Sequence, residues 1–150
     1  MLVADATTYH FAILTSTMHN AWVRTTCGRL KSDFRYSAAI VYNNFPWPDP
    51  PGDTHRANVE AAAQSVLDAR AQFPGSTLAD LYDPLAMPPA LLKAHQKLDA
   101  AVDAAYGKKA NAFKSDAERV AFLFERYQQL TSLLPAASAK RTRSATRRRS

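Results

Sequence analysis

Hydrophobic and polar positions follow different periods on the two sides of a proline-rich stretch. Beyond residue 53, apolar residues recur at steps of three and four, the period of an amphipathic α-helix. Before residue 49 the pattern is mixed and includes a period-two run from Phe34 to Tyr42. The two parts meet in a segment that is rich in proline, which fixes φ and removes a backbone donor. The pattern therefore predicts two parts, residues 1–48 and 54–135, joined by an extended linker over residues 49–53.

The second part predicts three long helices. One follows Thr54 and runs to Phe73, and another opens at the prolines of residues 88–89 and closes at Gly107. The third begins at the capping box Ser115–Glu118 and is stopped by Pro135. Thr77 to Tyr82 predicts a short helical turn between the first two. Because each long helix carries one apolar stripe, we expect a C-terminal three-helix bundle.

The first part predicts a small α+β segment, so the expected fold class is mainly α. Ser16 can cap a helix through Cys27, in which Met18 and Trp22 share a face, and Gly28 stands where a C-cap glycine belongs. Residues 11–14 are compatible with either a strand or the start of a helix. The period-two run Phe34–Tyr42 is interpreted as a strand.

The net charge of +6 comes from the end of the chain. Residues 1–138 hold 13 basic and 13 acidic side chains, which cancel. Residues 136–150 contain no large apolar side chain, so this basic tail is expected to be disordered. It can bind any polyanion without sequence preference, or simply be a solvated extension. Its six cations are Lys140, Arg141, Arg143, Arg147, Arg148 and Arg149.

The residues present argue against an internal disulfide, a membrane span, a secretory signal and a metal site. Cys27 is the only cysteine, so an internal disulfide is impossible, and a reducing cytoplasm is the expected compartment. No run reaches the roughly 18–20 apolar residues of a membrane span, and no secretory signal is visible. The four histidines lack metal-ligand spacing, so we expect no metal site.

A cationic window offers the candidate binding residues. Four basic side chains face one acid, Asp33, between residues 24 and 35, and polar side chains follow at residues 36, 43 and 44. Cations of this kind bind phosphates, and an arginine can read guanine in the major groove. The alternative is an ordinary solvated face beside a helix C-terminus, which favours cations. The candidate DNA-binding residues are Arg24, Arg29, Lys31, Arg35, Tyr36, Asn43 and Asn44.

Several motifs in order resemble one family of DNA-modifying enzymes. They are STMHNAW at residues 16–22, CGRLK at 27–31, FRYS at 34–37, YNNFPWP at 42–48, LADLYDPLAMPP at 78–89 and SDAERVAFLF at 115–124. Residues 9–134 are similar to the C-terminal part of the MmeI-type restriction-modification DNA methyltransferases. The resemblance assigns residues 1–48 to the end of the target-recognition region and residues 54–135 to the C-terminal helical domain.

The resemblance implies a bacterial enzyme that transfers a methyl group from S-adenosylmethionine to the exocyclic amine of adenine, often with an endonuclease on the same polypeptide. Such chemistry requires a flipped base, a glycine-rich cofactor loop and an Asn/Asp-Pro-Pro-aromatic motif. The chain has four glycines and no G-x-G arrangement, and in Asp49-Pro50-Pro51-Gly52 a glycine replaces the aromatic residue. We therefore expect no catalytic residues and no cofactor in this chain.

These expectations define three functional hypotheses. The leading one is a C-terminal fragment or split subunit of an adenine-specific methyltransferase, which positions double-stranded DNA for an N-terminal methyltransferase portion. The chain enters the recognition region part-way, as expected from a truncated or divided gene. The second hypothesis is an autonomous, non-catalytic nucleic-acid-binding protein that grips DNA through its tail. The third is a helical interaction module that binds no DNA.

Overall fold

The computed structural model describes residues 5–30 and 33–132, with the backbone alone at residues 29, 30 and 33. The predicted tail and the predicted helix stop at Pro135 lie outside this part of the chain. No helix within it is long and apolar enough to cross a membrane. Its elements are α1 (Thr8–Thr15), α2 (Thr17–Thr26), β1 (Gly28–Leu30), β2 (Asp33–Arg35), a π-helical turn (Ala38–Tyr42), α3 (Asp53–Ala71), α4 (Leu78–Leu81), α5 (Pro89–Ala105) and α6 (Asp116–Thr131).

The predicted mainly α fold is confirmed, and most helix ends follow their local sequence signals. The Ser16 hydroxyl accepts a hydrogen bond from the His19 backbone N–H and caps α2. Pro89 opens α5, and Gly107 follows it with a φ of +72°, a conformation that favours glycine. Ser115 caps α6, but the Glu118 carboxylate accepts from the N–H of residue 114 and not from that of Ser115.

Two local predictions are wrong. Helix α2 ends at Cys27 in an extended conformation, and Gly28 starts strand β1 and does not act as a C-cap glycine. Of the predicted strand Phe34–Tyr42, only the part within β2 is a strand, because residues 38–42 form the π-helical turn. The ambiguous run at residues 11–14 is helical.

Tertiary contacts explain the π-helical turn. The Ser37 hydroxyl caps it by accepting from the Ile40 N–H, and the indole N–H of Trp22 donates to the Val41 carbonyl over 3.1 Å. Val41 is fully buried, whereas its neighbour Ile40 is exposed. A period-two strand would not place this single apolar side chain in the core while supplying its carbonyl to Trp22, so packing overrides the β propensity.

One apolar core uses side chains from both sides of the proline-rich segment. Helix α3 packs along α5 and α1, while α6 packs on α2. The helices of the first part therefore pack in the same core as those of the predicted bundle, because the apolar stripe of α6 contacts the indole of Trp22. Buried core residues include Ile13, Met18, Trp22, Val41 and Phe45 before the linker, and Val59, Val66, Leu91, Leu98, Val102 and Leu123 after it.

The proline-rich segment is fastened to the C-terminal helices. Tyr106, at the end of α5, donates its hydroxyl proton to the Pro46 carbonyl over 3.0 Å, and Arg126 of α6 donates to the Trp47 carbonyl over 2.9 Å. The same guanidinium forms an ion pair with Asp49 at 2.8 Å. Because prolines cannot pair in a ladder, side chains satisfy these carbonyls instead. The segment is therefore held in place along its first half.

A carboxylate on α5 completes the N-terminus of α2. Asp99 accepts from the Thr17 backbone N–H over 2.8 Å and from the Thr17 hydroxyl over 2.6 Å. A negative charge at a helix N-terminus pairs with unsatisfied N–H groups and with the helix dipole. Helix α2, which leads into the hairpin, is thus oriented from the C-terminal part of the chain.

The central position of Trp22 gives a stability prediction. Trp22→Phe shrinks a buried ring and leaves the Val41 carbonyl without its donor, so we expect the free energy of unfolding to fall by about 2 kcal/mol. Urea denaturation followed by circular dichroism measures the change. The control Leu85→Ala, at a side chain that is 97% exposed, should shift the value by less than about 0.5 kcal/mol. Equal effects of the two variants would contradict the role given to Trp22.

Candidate nucleic-acid interface

The cationic window of the sequence lies on the end of α2 and on the hairpin that follows. Strands β1 and β2 pair antiparallel, with Gly28 opposite Arg35 and Arg29 opposite Phe34. Arg35 has an exposed side chain at the end of β2. The backbone of Arg29 lies in β1, whereas its side chain and all of Lys31 lie outside the described residues. The hairpin therefore presents an exposed cation beside the body formed by the helices.

Arg24, in the last turn of α2, reaches an acid of α6. Its guanidinium lies 2.6 Å from the Asp116 carboxylate, and both side chains are about half exposed. An exposed ion pair of this kind contributes only about 0–1 kcal/mol, because water and salt screen it. A phosphate can therefore replace the Asp116 carboxylate at little cost. The position of Arg24 remains compatible with the predicted role in DNA binding.

The hydroxyl of Tyr36 contacts a histidine that the sequence pattern did not indicate as a site residue. The phenol oxygen of Tyr36 lies 3.1 Å from Nε2 of His19, a buried residue of α2. The His19 ring also meets the Phe45 ring edge-on, with centroids 4.5 Å apart. Part of Tyr36 nevertheless stays exposed. The hydroxyl of Tyr36 is thus anchored on a buried imidazole.

Burial keeps His19 neutral. Desolvation lowers the pKa of its imidazole from 6.5 to about 4. Its Nδ1 atom is buried and has no hydrogen-bond partner among the described residues. Burial also raises the pKa of the Tyr36 phenol, with smaller contributions from Tyr42 and Cys27. The pair is therefore uncharged near neutral pH and serves to position a ring.

The two asparagines follow the π-helical turn and differ in their contacts. The Asn44 side-chain amide donates to the carbonyls of Ala39 and Ile40, each over 3.0 Å, and so closes the turn. Asn43 has an exposed side chain at the end of the turn. The structure thus gives Asn44 a structural contact and leaves Asn43 accessible. Both stay predicted DNA contacts.

The apolar residue Ile40 is exposed on this surface, and the sequence did not indicate it. The alternation of residues 36, 38, 40 and 42 suggested one strand face, whereas the π-helical turn sends Val41 inward and Ile40 outward. A single-residue change of period carries no clear sequence signal. The candidate interface is thus the end of α2, the hairpin and the π-helical turn, with Arg24, Arg35, Tyr36, Ile40 and Asn43 exposed or partly exposed.

A separate open cleft of about 590 Å³ lies between α2 and α5. Its polar side chains bind one another: Tyr82 lies 2.6 Å from Nε2 of His95 and accepts from Arg70 over 2.9 Å. Burial lowers the pKa of His95, with Asp99 opposing the shift and Arg70 adding to it. In the described part of the chain, no three His, Cys, Asp or Glu side chains are placed to hold a metal ion. The Tyr82 hydroxyl and the His95 ring are thus bound to one another at the edge of the cleft.

Comparisons with known proteins address the same two parts of the chain. Residues 1–49 match the family described as MmeI, target recognition domain, and residues 52–135 match MmeI, C-terminal domain. DNA methyltransferase A of Bacillus subtilis (strain 168) is 46% identical over 131 residues, which are 87% of this chain and 14% of that protein. A solved structure of the Type IIL restriction-modification enzyme MmeI in complex with DNA is 51% identical with a TM-score of 0.81, over 86% of this chain and 17% of that one.

The buried imidazole predicts a pH dependence of stability. Above pH 6.5 His19 is neutral whether the chain is folded or unfolded; between pH 6.5 and about 4 the unfolded chain binds a proton that the folded protein does not. Acidification through this window should therefore cost up to about 3 kcal/mol of stability. Urea unfolding at several pH values should show a shallower loss for His19→Gln. The exposed His55→Gln control should keep the slope of the unchanged protein, and equal slopes in all three would contradict the prediction.

Proposed function

Because this chain belongs to the MmeI family, whose target recognition and C-terminal domains it matches, we propose that it recognises and positions duplex DNA for a DNA methyltransferase of a restriction-modification system. The observation that carries the proposal is the common core of the two parts. Helices α1 and α2 are packed into the C-terminal helices, while Arg35 at the end of β2 and Ile40 of the π-helical turn stay exposed. Such an arrangement presents a binding surface on a rigid support.

Contacts to DNA would divide into two kinds. We assign the cations Arg24, Arg29, Lys31 and Arg35 to phosphates or guanine edges, since cations bind the DNA backbone and arginine pairs with guanine in the major groove. Polar contacts would come from the exposed residues that follow the hairpin, Tyr36, Asn43 and Asn44. Support for a DNA partner comes from the relative of known structure, which was solved with DNA.

Catalysis would belong to another polypeptide portion. The chain spans 14% of the length of the Bacillus relative and 17% of the MmeI chain. We propose that an N-terminal methyltransferase portion or subunit binds S-adenosylmethionine and methylates the exocyclic amine of adenine. Residues 1–48 would then complete its recognition region, and residues 54–135 would complete the C-terminal helical domain.

The sequence of this chain contains no glycine-rich cofactor loop. The four glycines stand at least 23 positions apart, so no two of them belong to one glycine-rich loop motif. Asp49, which stands where a catalytic motif would place its polar residue, has both carboxylate oxygens on Arg126 at 2.8 and 3.3 Å. These contacts support a structural role for the linker and a chain without its own catalytic centre.

Removal of single cations tests the DNA interface. Arg29→Ala and Arg35→Ala should each weaken binding to duplex DNA and lower the slope of log K against log salt concentration by about 0.9 for each phosphate that the side chain neutralises. Fluorescence anisotropy of a labelled duplex at several salt concentrations measures both. Lys93→Ala removes an exposed cation of α5 and serves as the charge-matched control. The proposal fails if both arginine variants bind with the affinity and salt slope of the control.

Removal of the tail distinguishes the rival hypotheses. A chain that lacks residues 139–150 should still bind DNA with sequence preference, because the hairpin surface is intact. Binding that vanishes on truncation and shows no preference beforehand would favour an autonomous protein that grips DNA through its tail. A chain that binds no DNA in either form would be a helical interaction module. Selection from a random duplex pool, followed by sequencing, measures the preference.

A further inference from the structure

Ile40 is an exposed apolar side chain on a rigid support. It is 57% exposed, although the turn that carries it is fixed by buried and capped groups on both sides. The backbone N–H of Ile40 donates to the Ser37 hydroxyl, and its carbonyl accepts from the Asn44 amide over 3.0 Å. The next residue, Val41, is fully buried and bound to the Trp22 indole. Ile40 therefore cannot enter the core unless Val41 leaves it.

The ring of Tyr36 adds to this apolar surface. Its hydroxyl lies 3.1 Å from the buried imidazole of His19, and 38% of the residue is exposed. Only three residues separate Tyr36 from Ile40 in the chain. We refer to these two partly exposed residues, which follow directly on the hairpin, as the Tyr36–Ile40 ledge.

The residues that flank the ledge carry groups that bind nucleic acid. Arg35 precedes Tyr36 and is exposed, and Asn43 follows the turn and is exposed. Cations and amides around a small apolar contact match the major groove of DNA, in which phosphates, base-edge acceptors and the thymine 5-methyl group lie close together.

We propose that Ile40, supported by Tyr36, determines specificity by contacting the 5-methyl group of a thymine in the major groove. The inference rests on the proposed function, since it names a base contact made by the same DNA-binding surface. An aliphatic side chain distinguishes thymine from cytosine by this methyl group, without a hydrogen bond. The fixed turn contributes by holding Ile40 in place before binding, so little side-chain or backbone order has to be gained on contact.

The contact can be tested by removing one methyl group from either partner. Duplexes enriched by the unchanged chain from a random pool are remade with deoxyuridine in place of each thymine in turn. At one thymine position the unchanged protein should bind the uracil duplex about fourfold more weakly, the value expected for one buried methyl group. Ile40→Ala should bind the thymine duplex more weakly and should no longer distinguish thymine from uracil at that position.

Two variants control for folding and for general loss of apolar surface. Leu130→Ala removes a side chain of similar exposure, 59%, on α6 and should keep the full sensitivity to uracil. Ile40→Val retains methyl groups and should restore most of the discrimination. Thermal unfolding of the variants should change little, because Ile40 is exposed.

The outcomes separate this inference from the function on which it rests. Sensitivity to uracil that persists in Ile40→Ala, or is lost equally in Leu130→Ala, overturns the thymine contact. Binding that is sequence-selective but insensitive to uracil at every thymine overturns it as well, while the proposed DNA recognition stands. A chain that enriches no duplex sequence overturns both.

Discussion

The burial of the Trp22 indole joins the parts of this protein. Its ring packs beside Phe124 and Tyr127 of α6, with centroids 5.1 and 6.1 Å away, and beside Phe45 after the π-helical turn. Its N–H donates to the Val41 carbonyl. A large ring of this kind contributes much apolar area, and its one polar atom must find a partner when buried. Because the ring must be buried and its N–H must have an acceptor, α2, the π-helical turn and α6 pack together around Trp22.

Polar contacts between the two parts of the chain fix the orientation of the elements that this apolar packing brings together. Asp99 of α5 caps α2, and Tyr106 and Arg126 hold the proline-rich segment. The Arg126 side chain is only 15% exposed, and its guanidinium also lies 5.8 Å from the centre of the Tyr106 ring. The hydrogen bonds join residues that are 60 or more positions apart, so the recognition segment and the C-terminal helices are mechanically one support. The end of α2 and the π-helical turn are therefore held in a defined orientation.

The candidate surface was only partly predictable from sequence. The cationic cluster stood out because charges lie close together in the chain. The sequence did not indicate the contact of His19 with Tyr36, the use of Asn44 to close a turn or the exposure of Ile40. Each of these depends on which side chain the core accepts. Arg24 shows the same limit: its ion pair with Asp116 joins residues 92 positions apart.

Local sequence alone determined the helices and their ends, since caps, prolines and three-to-four periodicity act within a few residues. It therefore indicated α2, α3, α5 and α6 and the mainly α class, and motif order indicated the family. Tertiary structure alone decided that α6 packs on α2, that residues 38–42 wind into a π-helical turn, and that Gly28 begins a strand. The first two features depend on the burial of Trp22 and Val41 by distant partners, and local propensity is too weak to oppose a buried contact.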